Sequence, residues 1–121
     1  GFEQFDNEFI DRAKTYLIRA SDFPEAKTAA TAVLSAFNNF LEARRKLLPY
    51  AKRLQDMPML QIVARCTIFS AYLKAYERLL SEIKDNFKDL YELDSTGAKE
   101  VVEIIHMLSQ LHWIHFICGN I

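Results

Sequence analysis

The sequence predicts an all-α protein, an up-and-down bundle of four principal helices. Three observations carry that prediction. The stretch 58–91 holds the longest unbroken helical pattern in the chain, three further amphipathic segments accompany it with short connections, and 121 residues include 3 Gly and 3 Pro. Half of the residues are hydrophobic, enough for a chain of this length to close one core and form a single domain.

The first segment, FEQFDNEFIDRAKTYLIRA, places Phe2, Phe5, Phe9, Ala13, Tyr16, Leu17 and Ala20 at helical spacing. Glu3, Asp6 and Glu8 crowd its first turns and Arg19 closes it, as the helix dipole favours. Ser21-Asp22-Phe23-Pro24-Glu25 reads as a stop and restart. Pro24 suits a first helical turn, and Asp22 with Glu25 has capping-box spacing.

The second helix is expected over 24–48. Its seam runs Ala26, Ala30, Val33, Phe37, Phe40, Arg44, Leu47, three and four residues apart in alternation. Alanine at the start lets a neighbour approach closely, and phenylalanine later holds it further off. Pro49 is expected to end or kink the helix near Leu48. The long helix follows, with Ile62, Phe69, Tyr72, Tyr76, Leu79, Leu80, Ile83, Phe87 and Leu90 on one face. Lys74, Glu77, Arg78, Ser81, Asp85 and Lys88 take the other, and Asp85-Asn86 is its weakest point. ELDSTG (92–97) reads as a loop with Ser95 or Thr96 as cap. The last helix is expected over 98–118, stopped by Gly119-Asn120, with Val101, Ile104, Ile105, Leu108 and Leu111 inward.

Charge and composition narrow the function classes. A net charge of −1 argues against a whole-domain field for nucleic acid or an anionic membrane. No apolar run approaches the roughly 20 residues of a membrane span, and no signal-peptide pattern opens the chain, so a cytoplasmic location is expected. Cys66 and Cys118 both fall in expected helices and read as small buried apolar residues. The chain opens on Gly1 rather than Met, which reads as a fragment of a longer chain.

Catalytic patterns are missing. Gly1, Gly97 and Gly119 are isolated, so no phosphate loop exists, and Ser35, Ser70, Ser81 and Ser109 lie outside any nucleophile elbow. No arginine precedes a histidine at the Arg-x4–6-His spacing of small helical ribonucleases. Glu103-x-x-His106 has the spacing of a bundle di-iron motif but lacks a second copy. The chain is read as a non-enzyme that needs no cofactor.

Three candidate sites are left. Leu111–Ile121 is apolar almost all round because Trp113 and Ile117 fall on the side that carries Lys99, Glu103 and Gln110 upstream. Such a helix must be covered on every side. Trp113, Ile114, Phe116 and Ile117 are therefore the expected contact with a protein partner, the rest of the parent chain or a second copy. Arg44, Arg45, Lys46, Lys52 and Arg53 form a basic cluster with no acidic residue between Glu42 and Asp56. They are the alternative, a nucleic-acid contact, although Tyr50 is the one ring among them for base stacking. His112 and His115 are a further alternative, a metal or small-ligand pair. His106 and Cys118 each lie about 120° round the wheel from His112, so one tetrahedral site does not use all of them. Arg65, on the apolar face of the long helix, needs a carboxylate or carbonyl partner.

FLEARRKLL (40–48), AYLKAYERLLSEI (71–83) and LSQLHWIHF (108–116) resemble helical stretches in the middle of large ATPases of bacterial DNA-defence systems, those of phosphorothioate-dependent restriction. In that family the helices lead to a Leu-Ser-Pro-Leu-His-Pro segment; here Ser109-Gln110-Leu111-His112-Trp113 carries neither proline. With no Walker motif, the resemblance implies an accessory helical portion without the motor.

Overall fold

A computed structural model describes residues 2–51 and 59–110, with side chains described for 6–49 and 67–110. It contains α1 (Phe2–Ala20), α2 (Lys27–Ala51), α3 (Met59–Leu93) and α4 (Ser95–Leu108). No strand occurs among the described residues. The fold is the all-α four-helix bundle the sequence predicts. α1 packs on α2 and α4, and α3 packs on α2 and α4, so α1 faces α3 across one diagonal. The directions alternate: Asp6 near the start of α1 meets Arg44 late in α2, and Arg12 of α1 meets Glu100 of α4.

The residue sizes set the spacing of the helices. Ala13, Leu17 and Ala20 of α1 are buried, as are Ala26 just before α2 and Ala29, Ala30 and Ala36 within it. Small side chains there keep the backbones close. Further along, Phe37 and Phe40 of α2 and Phe69 and Tyr72 of α3 are buried in the core. The Phe40 ring lies 5.4 Å from that of Tyr72 and 5.7 Å from that of Tyr76, both tilted. Such offset geometry adds to the area buried. From α4, Ala98, Val101, Ile104, Ile105 and Leu108 close the core.

Several boundaries differ from expectation, each for a local reason. α2 starts at Lys27, not Pro24. Ala26 N–H donates to Phe23 O at 3.0 Å, closing a four-residue turn with Pro24 at its second position. α2 also runs through Pro49 to Ala51, because a proline in the last turn removes a single donor. α3 is unbroken at Asp85-Asn86. Asn86 Nδ2 donates to Glu82 O at 2.7 Å and lies 3.2 Å from Glu82 Oε2, so its side chain bonds along its own helix. Leu80 was expected inside but is 44% exposed, while its neighbour Leu79 takes the core position.

The connection between α3 and α4 is one residue rather than a loop. Asp94, not Ser95 or Thr96, is the cap, with φ −156° and ψ 94°, and its Oδ1 accepts from Gly97 N–H at 3.0 Å. Gly97 is a helical position with no room for a side chain. A Cβ there would sit 2.3 Å from Tyr16 Cε2. The Tyr16 ring lies against bare α4 backbone, and its hydroxyl donates to Leu90 O of α3 at 3.3 Å. One ring thereby fastens three helices.

α4 ends at Leu108 with Ser109 as its cap; the part of the expected last helix from 111 to 118 lies outside the described residues. Ser109 N–H donates to Ile105 O and His106 O, and Gln110 N–H to Met107 O at 3.2 Å, a tightening last turn. The Ser109 hydroxyl competes for the same carbonyls, donating to His106 O at 2.7 Å. Among the described residues no helix is long and apolar enough to cross a membrane.

Candidate functional site

The polar groups of the core gather at the end of the bundle where α4 stops. Arg44 is 8% exposed. Its Nη2 donates to Asp6 Oδ2 at 2.7 Å, and its Nε donates to Leu108 O at 3.0 Å. The guanidinium therefore joins the first turns of α1, the late part of α2 and the last carbonyls of α4. A buried Arg is tolerated because both bonds are directed and one is an ion pair.

Tyr72 and Tyr76 complete the cluster from α3. Tyr72 hydroxyl donates to Ser109 O at 3.3 Å, and Tyr76 hydroxyl lies 3.2 Å from Ser109 Oγ. Burial drives the Tyr72 phenol well above its ordinary range; Arg44 pulls it down and Tyr76 pushes it up by smaller amounts. At the other end, burial and then the nearby Asp94 push Tyr16 up to about 12. Both phenols stay protonated donors at neutral pH. Each donates to a backbone carbonyl near a helix end, Leu90 O for Tyr16 and Ser109 O for Tyr72.

The basic cluster is divided by the fold. Arg44, expected on a nucleic-acid surface, is withdrawn into the core; the correction follows from its seam position, which places it against α1 and α4. Arg45 and Lys46 are exposed. Arg45 grips Glu42 of the same helix through two bonds, Nη2 to Oε1 at 2.5 Å and Nε to Oε2 at 3.2 Å. Hydrogen bonding to Arg45 holds the Glu42 carboxyl below the usual carboxylate range, opposed by desolvation and helped by smaller pulls from the Arg45 and Lys46 charges. Glu42 thus offsets part of the Arg45 charge locally. Lys52 and Arg53 lie outside the described residues, as do Trp113, Ile114, Phe116, Ile117, His112 and His115; the Arg65 and Cys66 side chains also lie outside them.

Among the described residues no three His, Cys, Asp or Glu side chains gather in a metal-binding group. His106 is exposed, its Nε2 3.1 Å from Gln110 Nε2. Two surface grooves flank α1. One runs between α1 and α2, past Asp6, Ile10, Leu41 and Arg44. The other runs between α1 and α4, past Asp11, Tyr16, Gly97 and Val101.

Sequence reasoning missed Asp6, Tyr72, Tyr76, Ser109 and the Leu108 carbonyl as one cluster. The signal was the charged residue in an otherwise apolar seam, which requires a partner; the partner's identity depends on which end of α1 meets it. No family model, curated protein or solved structure matches the chain. The resemblance to DNA-defence ATPases therefore rests on the quoted residues alone.

Proposed function

We propose that this chain is a non-catalytic helical accessory domain that binds a protein partner, a second copy or the rest of a parent chain through Trp113, Ile114, Phe116 and Ile117. The supporting observation is the fixed exit from α4. Ser109 is tied to Tyr72 and Tyr76, and the apolar sequence LHWIHFIC begins two residues later. A bundle followed by an apolar run that contains a Trp suits an anchor, since Trp is enriched among the few residues that carry most interface energy.

Trp113 is the single tryptophan of the sequence, which makes the test direct. Trp113→Ala is expected to weaken association by about 2 kcal/mol, roughly thirtyfold in dissociation constant. Sedimentation equilibrium over a dilution series compares wild type and W113A, alone and with any protein that co-purifies with the native chain. Identical masses and identical partner retention in the two would refute the assignment.

A further inference from the structure

We infer that the outward edge of α3 is a self-association seam, on which two copies of this chain pack α3 against α3 in antiparallel order about a two-fold axis at Leu80. This contact is separate from the one assigned to Trp113 and does not depend on it. Toward its own bundle, α3 buries Tyr72, Leu79, Ile83 and Leu90. Beside that core face, Leu73, Leu80 and Phe87 follow a second line at seven-residue spacing, and Tyr91 extends it by one turn. At 3.6 residues per turn these four lie within about 40° of one another over roughly 27 Å of helix. They reach the surface: Leu80 is 44% and Tyr91 41% exposed, and Leu73 and Phe87 are partly buried.

The apolar edge extends beyond α3. Lys99 Nζ of α4 stands 5.6 Å from the centre of the Tyr91 ring, so that side of α4 flanks the stripe, and Val102, three residues on, is 36% exposed. The Phe87 and Tyr91 rings pack in tilted contact at 5.6 Å, which orders them before any partner arrives and lowers the entropy lost on binding. Apolar side chains repeating every seven residues on a helix surface suit cover by a second helix of matching spacing.

Charge complementarity makes that second helix α3 of another copy. Glu77 and Lys84 alternate with the apolar residues along the stripe, both exposed, and neither has an ion-pair partner among the described residues. Two antiparallel α3 helices centred on Leu80 set Leu80 against Leu80, Leu73 against Phe87, and Glu77 against Lys84 at two symmetric places. A parallel pair sets Glu77 against Glu77 and Lys84 against Lys84, and like-charge repulsion disfavours it. The seam is therefore complementary to itself in one orientation. A single helix pair is small for an interface, so the association is concentration-dependent rather than obligate.

The test is sedimentation equilibrium of the full 121-residue chain from micromolar to millimolar, with Trp113→Ala present throughout so that the other contact is silent. The mass is expected to rise from one chain toward two. Leu80→Glu, at an exposed position, should hold the chain as a monomer with an unchanged circular dichroism spectrum. Glu77→Lys and Lys84→Glu should each raise the dimer dissociation constant at least about fivefold, since each change acts twice across the axis. Together they restore opposite charges and should return the constant to within about twofold of its starting value. The inference is overturned by a dimer that persists in L80E, or by a double variant no tighter than the single ones. A chain that associates with Trp113 intact but stays monomeric at millimolar concentration in W113A overturns the seam and supports the Trp113 contact; a monomer in both overturns the seam as well.

Discussion

Replacing Arg44 by Met tests the polar cluster most sharply, because Met keeps the aliphatic stem in place and removes only the fork. Two bonds are lost, to Asp6 Oδ2 and to Leu108 O. Breaking a buried ion pair from one side costs about 3–5 kcal/mol, most of it the penalty of the charge left behind. The Asp6 side chain is 21% exposed, so water re-solvates part of it and the lower end applies. The orphaned Leu108 carbonyl adds a further cost of roughly 1 kcal/mol where it stays dry. The expected loss for R44M is about 3–4 kcal/mol, a large share of the roughly 5–15 kcal/mol that a domain has. Asp6→Asn should cost less, about 1–2 kcal/mol, since Arg44 keeps Leu108 O and the amide oxygen still accepts. The assay is urea unfolding followed by circular dichroism for the wild type, both single variants and the double variant. The double variant should be less damaged than the sum, with a coupling of at least about 1 kcal/mol. A loss below about 1 kcal/mol for R44M, or strict additivity of the pair, would refute the account of Arg44 as the joint of three helices.

Two further outcomes follow from the other end of the bundle. Gly97→Ala should destabilise by about 1–3 kcal/mol, although alanine is the better helix former by roughly 1 kcal/mol, because its Cβ meets the Tyr16 ring at 2.3 Å; thermal melts read this, and a more stable variant would show that the ring moves aside freely. Stability should also fall in alkali: the folded Tyr16 phenol is raised from 10.0 to about 12, so the unfolded chain releases its proton first and stability present below pH 10 is lost as pH rises toward 12. Tyr72 is raised in the same direction and steepens the loss. Urea midpoints between neutral pH and pH 11 measure it, Tyr16→Phe should flatten the curve, and an unchanged slope in that variant would place the titration elsewhere.

Periodicity made the helices legible because it reports burial directly. Ala13, Leu17, Phe37, Phe40, Tyr72, Leu79 and Ile105 were all assigned inward from spacing, and all are buried. The connections were harder to read, since they depend on competition for single backbone groups. Asp94 won the cap over Ser95 and Thr96 because its carboxylate reaches Gly97 N–H, and a glycine that looks like a loop residue is required instead by a ring from α1. Ser109 caps α4 through bonds that no hydrophobic pattern encodes. Arg44 was visible as an anomaly in the α2 seam, while the basic-cluster reading of the same residue followed from its sequence neighbours Arg45 and Lys46. A charge count sees neighbours in sequence; the seam position sees neighbours in space. For a residue at an a/d position the second must outweigh the first.

Arg44 ties Asp6 of α1 to Leu108 of α4, and Tyr72 and Tyr76 hold the next residue, Ser109, against α3. The α1–α4 groove and the exit toward Trp113 are therefore bounded by the same pair of helices. Arg12–Glu100 is a surface bond that opens easily, but Asp6–Arg44–Leu108 lies inside and does not. Parting of α1 from α4 is resisted at that buried end, so the helices splay more readily from the Tyr16–Gly97 side, where the α1–α4 contact is packing of a ring on backbone. Motion of α4 about the Arg44 end would then leave Ser109 nearly in place.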